Sequence, residues 1–249
     1  MMTLKENTDL LKDKLHLKYM PVGFFLTSKV PDDALSFKKS GGGCVAPLIF
    51  SAAKGKTVAI GRDSAGYPCS SFYLGYSEWI FPGIENFLSH VPFPGRDCER
   101  FIKTPDIARE YIQSFKADTE VKDTYLFKPL DKFNNEEIPE VVIFFGNSDQ
   151  MSALVFLLHY NNPLASDRVI TNLASACMSF VTIPLRFARN GEKKAFWGLH
   201  DIAIRNSFPA DITSMAMPYD VFTDMCSILD ESFLSTEKWN KLAERIVNK

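Results

Sequence analysis

Residues 140–145 have the sequence EVVIFF, a short apolar run that is followed by the polar loop 146–150, GNSDQ. Short apolar runs bounded by turn-forming residues are typical of buried β-strands. Residues 151–159 follow with the apolar pattern of a helix, so the local order is strand, loop and helix. This order predicts an α/β fold, with α+β as the alternative.

The same elements are predicted nearer the N-terminus. Residues 21–27, PVGFFLT, are typical of a buried strand, and a helix over residues 45–53 and a strand over residues 57–60 follow it. In the later part of the chain, a helix after Cys177 precedes a predicted strand over residues 194–199. Each part of the chain is therefore predicted to place a strand, a helix and a second strand in that order.

Landmarks in the two parts are separated by a nearly constant distance along the chain. Three pairs recur at offsets of 133 or 136 residues: Cys44 with Cys177, Gly55 with Gly191, and Phe81 with Met217. The offsets indicate an internal duplication, with a first half over residues 18–133 and a second half over 140–235. We predict one compact globular domain over residues 1–249, with a ligand cleft between the halves. Chance recurrence of strands and helices is the alternative.

The composition narrows the class of protein. Lys and Arg number 28 against 30 Asp and Glu, a formal net charge of -2, so no basic surface for nucleic acid is predicted. Charged residues interrupt the leucines of residues 1–20, unlike a signal peptide. No apolar run reaches the length of a membrane-spanning helix. We expect a cytoplasmic protein with neither nucleic acid nor membrane as a partner.

The chain has five cysteines, an odd number, and no Cys-x-x-Cys pair. This argues against disulfides in the cytosol and against zinc-ribbon or thioredoxin-like motifs. Cys44 follows the glycines 41–43, Cys69 lies in the turn 66–71, and Cys177 follows small residues. A helix N-terminus lowers the pKa of a thiol, so a thiolate is expected at Cys44.

Three thiols at loop or helix-start positions are candidate metal ligands. Soft thiolates suit an iron–sulfur cluster, zinc or copper, and three ligands leave an open coordination position for a substrate. Cys98 is a candidate fourth ligand, although its charged neighbours favour exposure, and Cys226 is predicted to lie in the core. The alternative is that each cysteine is a small buried hydrophobe.

Two further groups of polar residues are candidate sites. Asn147 and Asp149 lie where a strand joins a helix, and backbone amides there can hold an anionic or amide-bearing ligand. A helix cap by Ser148 or Asp149 is the alternative. His200 beside Asp201 suggests a general-base pair, but adjacent residues of an extended chain point in opposite directions, which favours a structural role.

The chain resembles the domain of unknown function family 169, an uncharacterised prokaryotic family. The matching segments are the glycine-preceded Cys44, Pro68-Cys69 with Leu74-Gly75, residues 126–130, residues 141–153, Ala176-Cys177, residues 197–202 and residues 230–233. They extend over most of the chain. The resemblance implies that Cys44, Cys69 and Cys177 occupy the family's cysteine positions, in agreement with a common site, but it implies no activity.

Three functions are compatible with these patterns. The leading hypothesis is a protein that binds a metal or an iron–sulfur cluster through Cys44, Cys69 and Cys177, for redox or sulfur chemistry on a small molecule. The second is a non-catalytic module that binds or senses a small ligand and has structural cysteines. Its pocket would be lined by four aromatic residues: Phe72, Tyr73, Phe144 and Trp197. The third is an interaction scaffold without a pocket. Enzymatic activity and oligomeric state stay open.

Overall fold

A single β-sheet runs through the computed structural model, which describes residues 3–37, 42–118 and 120–247. Within these ranges the sheet has seven strands in the order β2-β3-β1-β4-β7-β6-β5. The strands are β1 (Val22–Thr27), β2 (Val58–Ile60), β3 (Thr124–Pro129), β4 (Val141–Gly146), β5 (Val169–Ile170), β6 (Ala195–Gly198) and β7 (Thr213–Pro218).

Helices cover both faces of this sheet. The α-helices are α1 (Leu4–Leu15), α2 (Val45–Ala53), α3 (Pro68–Tyr73), α4 (Ile84–Leu88), α5 (Pro105–Ser114), α6 (Ser148–His159), α7 (Ile183–Arg189), α8 (Tyr219–Cys226) and α9 (Glu237–Val247). Shorter 3-10 helices span Arg62–Ser64, Leu130–Lys132, Ile202–Ser207 and Phe233–Ser235, and a π-helix spans Met178–Thr182. Over the described ranges, no helix combines the length and the apolar character needed to cross a membrane.

The strand connections make the sheet mainly antiparallel. Neighbouring strands are antiparallel except β5 and β6, which are parallel. The prediction of a mixed fold of helices and strands is confirmed, in the α+β form that an antiparallel sheet defines. From the central pair outward, the order is β1-β3-β2 on one side and β4-β7-β6 on the other. Phe81 and Met217, one of the three landmark pairs, do not occupy equivalent places, because Met217 lies in β7 and Phe81 precedes α4. The internal duplication stays a prediction.

Side-chain alternation along β4 accounts for the two layers of helices. Val141, Ile143 and Phe145 pack into a core with α2, α3 and α7, whereas Val142 and Phe144 pack into a second core with α1, α6, α8 and α9. Successive side chains of a strand point to opposite faces. Because all six residues of β4 are buried, the strand lies at the centre of a compact three-layer body.

The sequence patterns locate the helices and strands that follow Cys44 and Cys177. They miss the strands beside the central pair, and the predicted turn over residues 66–71 is wrong from Pro68 onward, where helix α3 begins. The predicted helix over residues 45–53 coincides with α2, and the predicted strand over residues 140–145 corresponds to β4. The patterns do not predict β3, where Lys128 is buried in an ion pair with Glu137 at 2.5 Å. They also miss β7, which is mostly alanine, methionine and serine and has few of the β-branched residues that mark strands.

Ser214 in β7 offers a test of the packing of the sheet. Its hydroxyl is buried and has no hydrogen-bond partner within the described part of the chain. We expect Ser214→Ala to leave the free energy of unfolding unchanged or to raise it by up to about 1 kcal/mol, because an unsatisfied polar group is removed. Urea denaturation measures this change.

Ser232→Ala is the matched control for Ser214→Ala. Ser232 is also buried, but its hydroxyl donates to the Leu229 carbonyl at 2.9 Å and accepts from the Leu234 amide at 3.4 Å. Its replacement should lower the free energy of unfolding by about 1 kcal/mol. Equal losses in the two variants would mean that the Ser214 hydroxyl has a partner after all.

Candidate functional site

A pocket of about 940 Å³ lies on the face of the sheet that carries α2, α3 and α7. Its lining comes from residues 44–111 and 173–204, so both of the predicted halves contribute to it. Cys44, Cys69 and Cys177 all line this pocket. The structure therefore brings together the three cysteines that the sequence analysis selected.

Cys44 is held at the N-terminus of α2 by a close contact between two loops. The Tyr67 amide donates to the Gly43 carbonyl at 3.0 Å. Gly66 has a left-handed φ of +72°, and a Cβ atom at this position would overlap the Gly43 carbonyl oxygen. Only glycine adopts this conformation readily and leaves room for such an approach. Gly41, the first glycine of the predicted run, lies outside the described residues.

Cys69 and Cys177 are joined through Ser70. Cys69 is the second residue of α3, which begins at Pro68, and Ser70 follows it. The Cys177 thiol donates to the Ser70 hydroxyl at 3.4 Å. The Thr182 hydroxyl donates to the Tyr73 carbonyl at the other end of α3, at 2.7 Å. These two hydrogen bonds tie the segment after Cys177 along the whole length of α3.

The turn that follows Cys177 is a π-helix, Met178–Thr182. The sulfur of Met178 accepts hydrogen bonds from the Ser175 amide at 3.2 Å and from the Tyr111 hydroxyl at 3.5 Å. The widened π turn is rare and is found mainly at functional sites. Here it occurs directly after a cysteine of the pocket.

The environment of the cysteines keeps the thiols protonated. Burial raises the pKa of Cys44, raises the pKa of Cys69 to about 11 and raises the pKa of Cys177 well above its ordinary value. The amide of Ala46 acts in the opposite direction at Cys44, as expected near a helix N-terminus, but burial has the larger effect. The helix N-terminus therefore does not give Cys44 the lowered pKa that was expected.

The charge of Asp201 acts on all three thiols of the pocket. Its carboxylate accepts hydrogen bonds from the Ala203 amide at 3.1 Å and from the Ala176 amide at 3.4 Å. Burial raises the pKa of Asp201, and its charge in turn contributes to the raised pKa of each pocket cysteine. The segment turns toward the pocket at Leu199, a non-glycine residue with a left-handed φ of 66°.

Asp201 does not form the general-base pair with His200. The ring of His200 is exposed and its Nε2 lies 3.2 Å from the Trp197 carbonyl, although both residues line the pocket. The preference for a structural role of this histidine agrees with that contact. Asp201 is a residue that the sequence analysis did not select for the cysteine site. The signal available was its position directly after a buried strand.

The outer wall of the pocket is aromatic. The rings of Phe81, Phe87 and Phe93 lie with their centroids 5.7–6.3 Å apart, and all three line the pocket. Arg96 and Arg100 line it on the same segment of the chain. The pocket therefore combines an apolar outer wall, two guanidinium groups and an inner wall of thiols.

Several predicted site residues lie elsewhere. The Asn147 side chain caps α6 by accepting from the Asp149 and Gln150 amides, each at 3.0 Å, and Asp149 forms an ion pair with Arg245. The cap is therefore Asn147, not Ser148 or Asp149, and α6 packs into the second core. Ligand binding by Asn147 and Asp149 stays a prediction.

The structure also gives the positions of Cys98, Cys226 and the four aromatic residues of the ligand-binding hypothesis. Cys98 is half-buried and its thiol donates to the Val91 carbonyl at 2.9 Å. Cys226 is buried in the second core, as predicted, and Phe144 and Trp197 pack there too. Of the four aromatic residues expected in a ligand pocket, Tyr73 is the one that lines it, within the part of the chain that the structure describes.

Metal ligation has a clear geometric requirement, because the donor atoms of a single ion must surround one point. Across residues 3–37, 42–118 and 120–247, no group of three or more His, Cys, Asp or Glu side chains is arranged so that it could hold a metal ion. The three thiols thus share a pocket without forming a ready site for one ion.

A family model described as uncharacterised ArCR, the domain of unknown function family 169, matches residues 10–227. The chain belongs to this family. The match includes all five cysteines and confirms the resemblance found from the sequence. No curated protein and no solved structure matches the chain significantly.

Gly66 provides a test of how this family 169 protein positions Cys44. We expect Gly66→Ala to lower the free energy of unfolding by about 1–2 kcal/mol for the left-handed backbone, with a further cost of about 1–3 kcal/mol for the overlap with Gly43. The reaction of Cys44 with iodoacetamide should accelerate as its loop separates from residue 67. Urea denaturation and peptide mass spectrometry measure the two effects.

Gly95→Ala is the control for Gly66→Ala. Gly95 has a nearly equal φ of +75°, but a Cβ atom there would meet nothing within 4 Å. It carries the backbone cost without the overlap. If the two variants lose the same stability and Cys44 reacts at the same rate in both, the contact between the loops does not position the cysteine.

Proposed function

We propose that this protein binds a small organic molecule in the pocket, with the thiols of Cys44, Cys69 and Cys177 as its inner wall. The observation that carries the proposal is the convergence of these cysteines, from three distant parts of the chain, on one large cavity. Cys44 and Cys69 are half-buried and Cys177 is buried, and the packing of small core residues alone does not require three thiols to line one pocket.

The dimensions and the lining of the pocket fit this role. Small-molecule sites are usually clefts of roughly 300–1,000 Å³ with mainly apolar walls and a few polar groups that fix the orientation of the ligand. The pocket has a volume of about 940 Å³ and an aromatic wall that includes Phe81, Phe87 and Phe93. Its charged and ionisable groups include the thiols, Asp201 and His200 on one part of the lining, and Glu99 with the two arginines on another.

The protonated thiols are suited to contact a ligand without being consumed by it. A thiol is a weak hydrogen-bond donor with a soft, polarizable sulfur. Burial raises the pKa of Cys69 to about 11, so its thiol is predominantly protonated at neutral pH. Neutral thiols favour ligand binding over nucleophilic attack.

Protection of the thiols by an uncharged probe tests the proposal. N-phenyl-1-naphthylamine is apolar and fluorescent, and at ten times its Kd it leaves about one tenth of the sites empty. The rates at which iodoacetamide alkylates Cys44 and Cys69 should then fall about tenfold, because the bound probe covers the inner wall. Peptide mass spectrometry follows each cysteine separately.

A cysteine on the opposite face of the sheet is the control. In the variant Lys5→Cys the new thiol lies on α1, at an exposed position that packs away from the pocket. Its alkylation rate should not change when the probe is added. Equal slowing at this position, or no slowing at Cys44 and Cys69 when the probe is bound, would contradict binding in the pocket.

An iron–sulfur cluster bound by Cys44, Cys69 and Cys177 is the second candidate function. The convergence of the three thiols favours it, and a cluster distributes its thiolate ligands over different iron atoms, so they need not surround one point. Cys44, Cys69 and Cys177 would hold the cluster as thiolates, because a thiol that ligates a metal loses its proton. Such a cluster would supply redox or sulfur chemistry to a molecule held against the aromatic wall.

Metal analysis of protein purified without oxygen tests the cluster. If the cluster is present, the wild type contains iron and acid-labile sulfide, and Cys44→Ser, Cys69→Ser and Cys177→Ser each lose both. Cys226→Ser is the matched control, since Cys226 is also buried but lies in the second core; it should retain the cluster. A wild type that is free of metal and resists reconstitution would eliminate this candidate and leave the binding site.

A further inference from the structure

We propose that the ligand of this pocket is an organic anion whose apolar body packs on the phenylalanine wall and whose negatively charged group binds Arg96 and Arg100. The inference rests on the proposed binding function and adds the chemical class of the ligand. A carboxylate, a sulfonate and a phosphate share the required chemistry, because each presents two or more oxygens to a guanidinium group.

The first observation is that these two arginines lack protein partners. Within residues 3–37, 42–118 and 120–247, neither guanidinium makes a hydrogen bond or an ion pair. Arg186 shows the usual arrangement in the same protein, since it holds both oxygens of Asp118 at 2.9–3.0 Å. Arg96 and Arg100 therefore keep their hydrogen-bond donors available at the pocket.

The second observation is that the segment bearing the arginines is held in place. The Glu99 amide donates to the Phe87 carbonyl at 2.8 Å, the Arg100 amide to the Ser89 carbonyl at 3.2 Å and the Ile102 amide to the Leu88 carbonyl at 3.1 Å. Arg100 adopts a left-handed φ of 56°, which is costly for a residue other than glycine. Such conformations cluster at ligand-binding positions, where the surrounding structure enforces them.

The third observation is the separation of charges around the pocket. Glu99 and Asp201 are half-buried and act on each other, since the charge of Asp201 helps to raise the pKa of Glu99, after burial as the main cause. Arg96 and Arg100 are exposed and form no ion pair with either carboxylate within the described residues. An anionic group at the arginines would stay near the solvent, while the apolar body of the ligand fills the interior.

A pair of probes that differ by one charged group tests the inference. 1-Anilinonaphthalene-8-sulfonate has the aromatic body of N-phenyl-1-naphthylamine with a sulfonate added. Fluorescence titration of the wild type should give a lower Kd for the sulfonate than for the neutral probe. In the double variant Arg96→Gln/Arg100→Gln, the Kd of the sulfonate should rise about tenfold or more, and the Kd of the neutral probe should not change.

The double variant Lys5→Gln/Lys29→Gln is the control for net charge. It removes two exposed cations outside the pocket, and it should bind both probes as the wild type does. If it weakens the sulfonate as much as the arginine variant does, or if the arginine variant weakens both probes alike, the arginines are not the anion site. Melting temperatures of the variants check that each is folded.

The outcomes separate this inference from the proposed function. If the wild type binds the neutral probe at the thiols but shows no preference for the sulfonate, the binding site stands and the anionic ligand is rejected. If neither probe protects Cys44 and Cys69 from alkylation, the proposed function itself fails, and the inference fails with it.

Discussion

The antiparallel pairing of β1 with β4 is the contact on which the rest of the structure depends. It joins three residues of each strand, Val22 with Ile143, Gly23 with Val142 and Phe24 with Val141, and so makes one sheet out of two runs of strands. A Cβ atom on Gly23 would approach side-chain atoms of Leu130, Phe133 and Pro139 to within 2.9 Å. The absence of a side chain at this one residue therefore permits the close packing at the centre of the sheet.

From this pairing the position of the cysteines follows. The helix after Cys44 and the helix after Cys177 both pack on the same face of the joined sheet. Cys44 and Cys177 line the pocket, and α3 adds Cys69 to its lining and accepts a hydrogen bond from the Cys177 thiol at Ser70. The cost of burying three thiols is small as long as they are neutral, whereas burying three thiolates would need compensating positive charge. The protonation state of the three sulfur atoms therefore distinguishes the two candidate functions. Neutral thiols suit a ligand-binding wall, and thiolates suit a cluster.

Helices and strands that depend on a local sequence pattern were predicted correctly. Strands whose burial depends on contacts with distant residues were missed. The helix over residues 45–53 and the strand over residues 140–145 follow from apolar periodicity and turn residues. The strand β3 was not predictable in this way, because the charge of Lys128 is compatible with burial only through its ion pair with Glu137. Such a partner is visible only after the chain has folded.

The candidate site was likewise predicted only in part. Cys44 and Cys177 were selected from their repeated relation to strands and helices and Cys69 from a predicted turn, and in the structure all three line one pocket. The protonated state of the thiols was not predicted, because a helix N-terminus is a local feature of the sequence whereas burial depends on the whole fold. The effect of Asp201 on the thiols was not predicted either, because its burial and its contacts with the Ala176 and Ala203 amides depend on the folded chain.

The two walls of the pocket differ in their relation to the predicted duplication. The segment that connects β2 to β3 covers residues 61–123, whereas the segment that connects β6 to β7 covers only residues 199–212. In the predicted duplication Cys44 and Cys177 occupy matching positions, whereas the rings of Phe81, Phe87 and Phe93 and both arginines belong to the segment 61–123. Connections that extend from a rigid scaffold commonly carry specificity. If the pocket binds a small molecule as proposed, we expect the segment 61–123 to determine its specificity, while the helices after Cys44 and Cys177 supply the thiols of the inner wall.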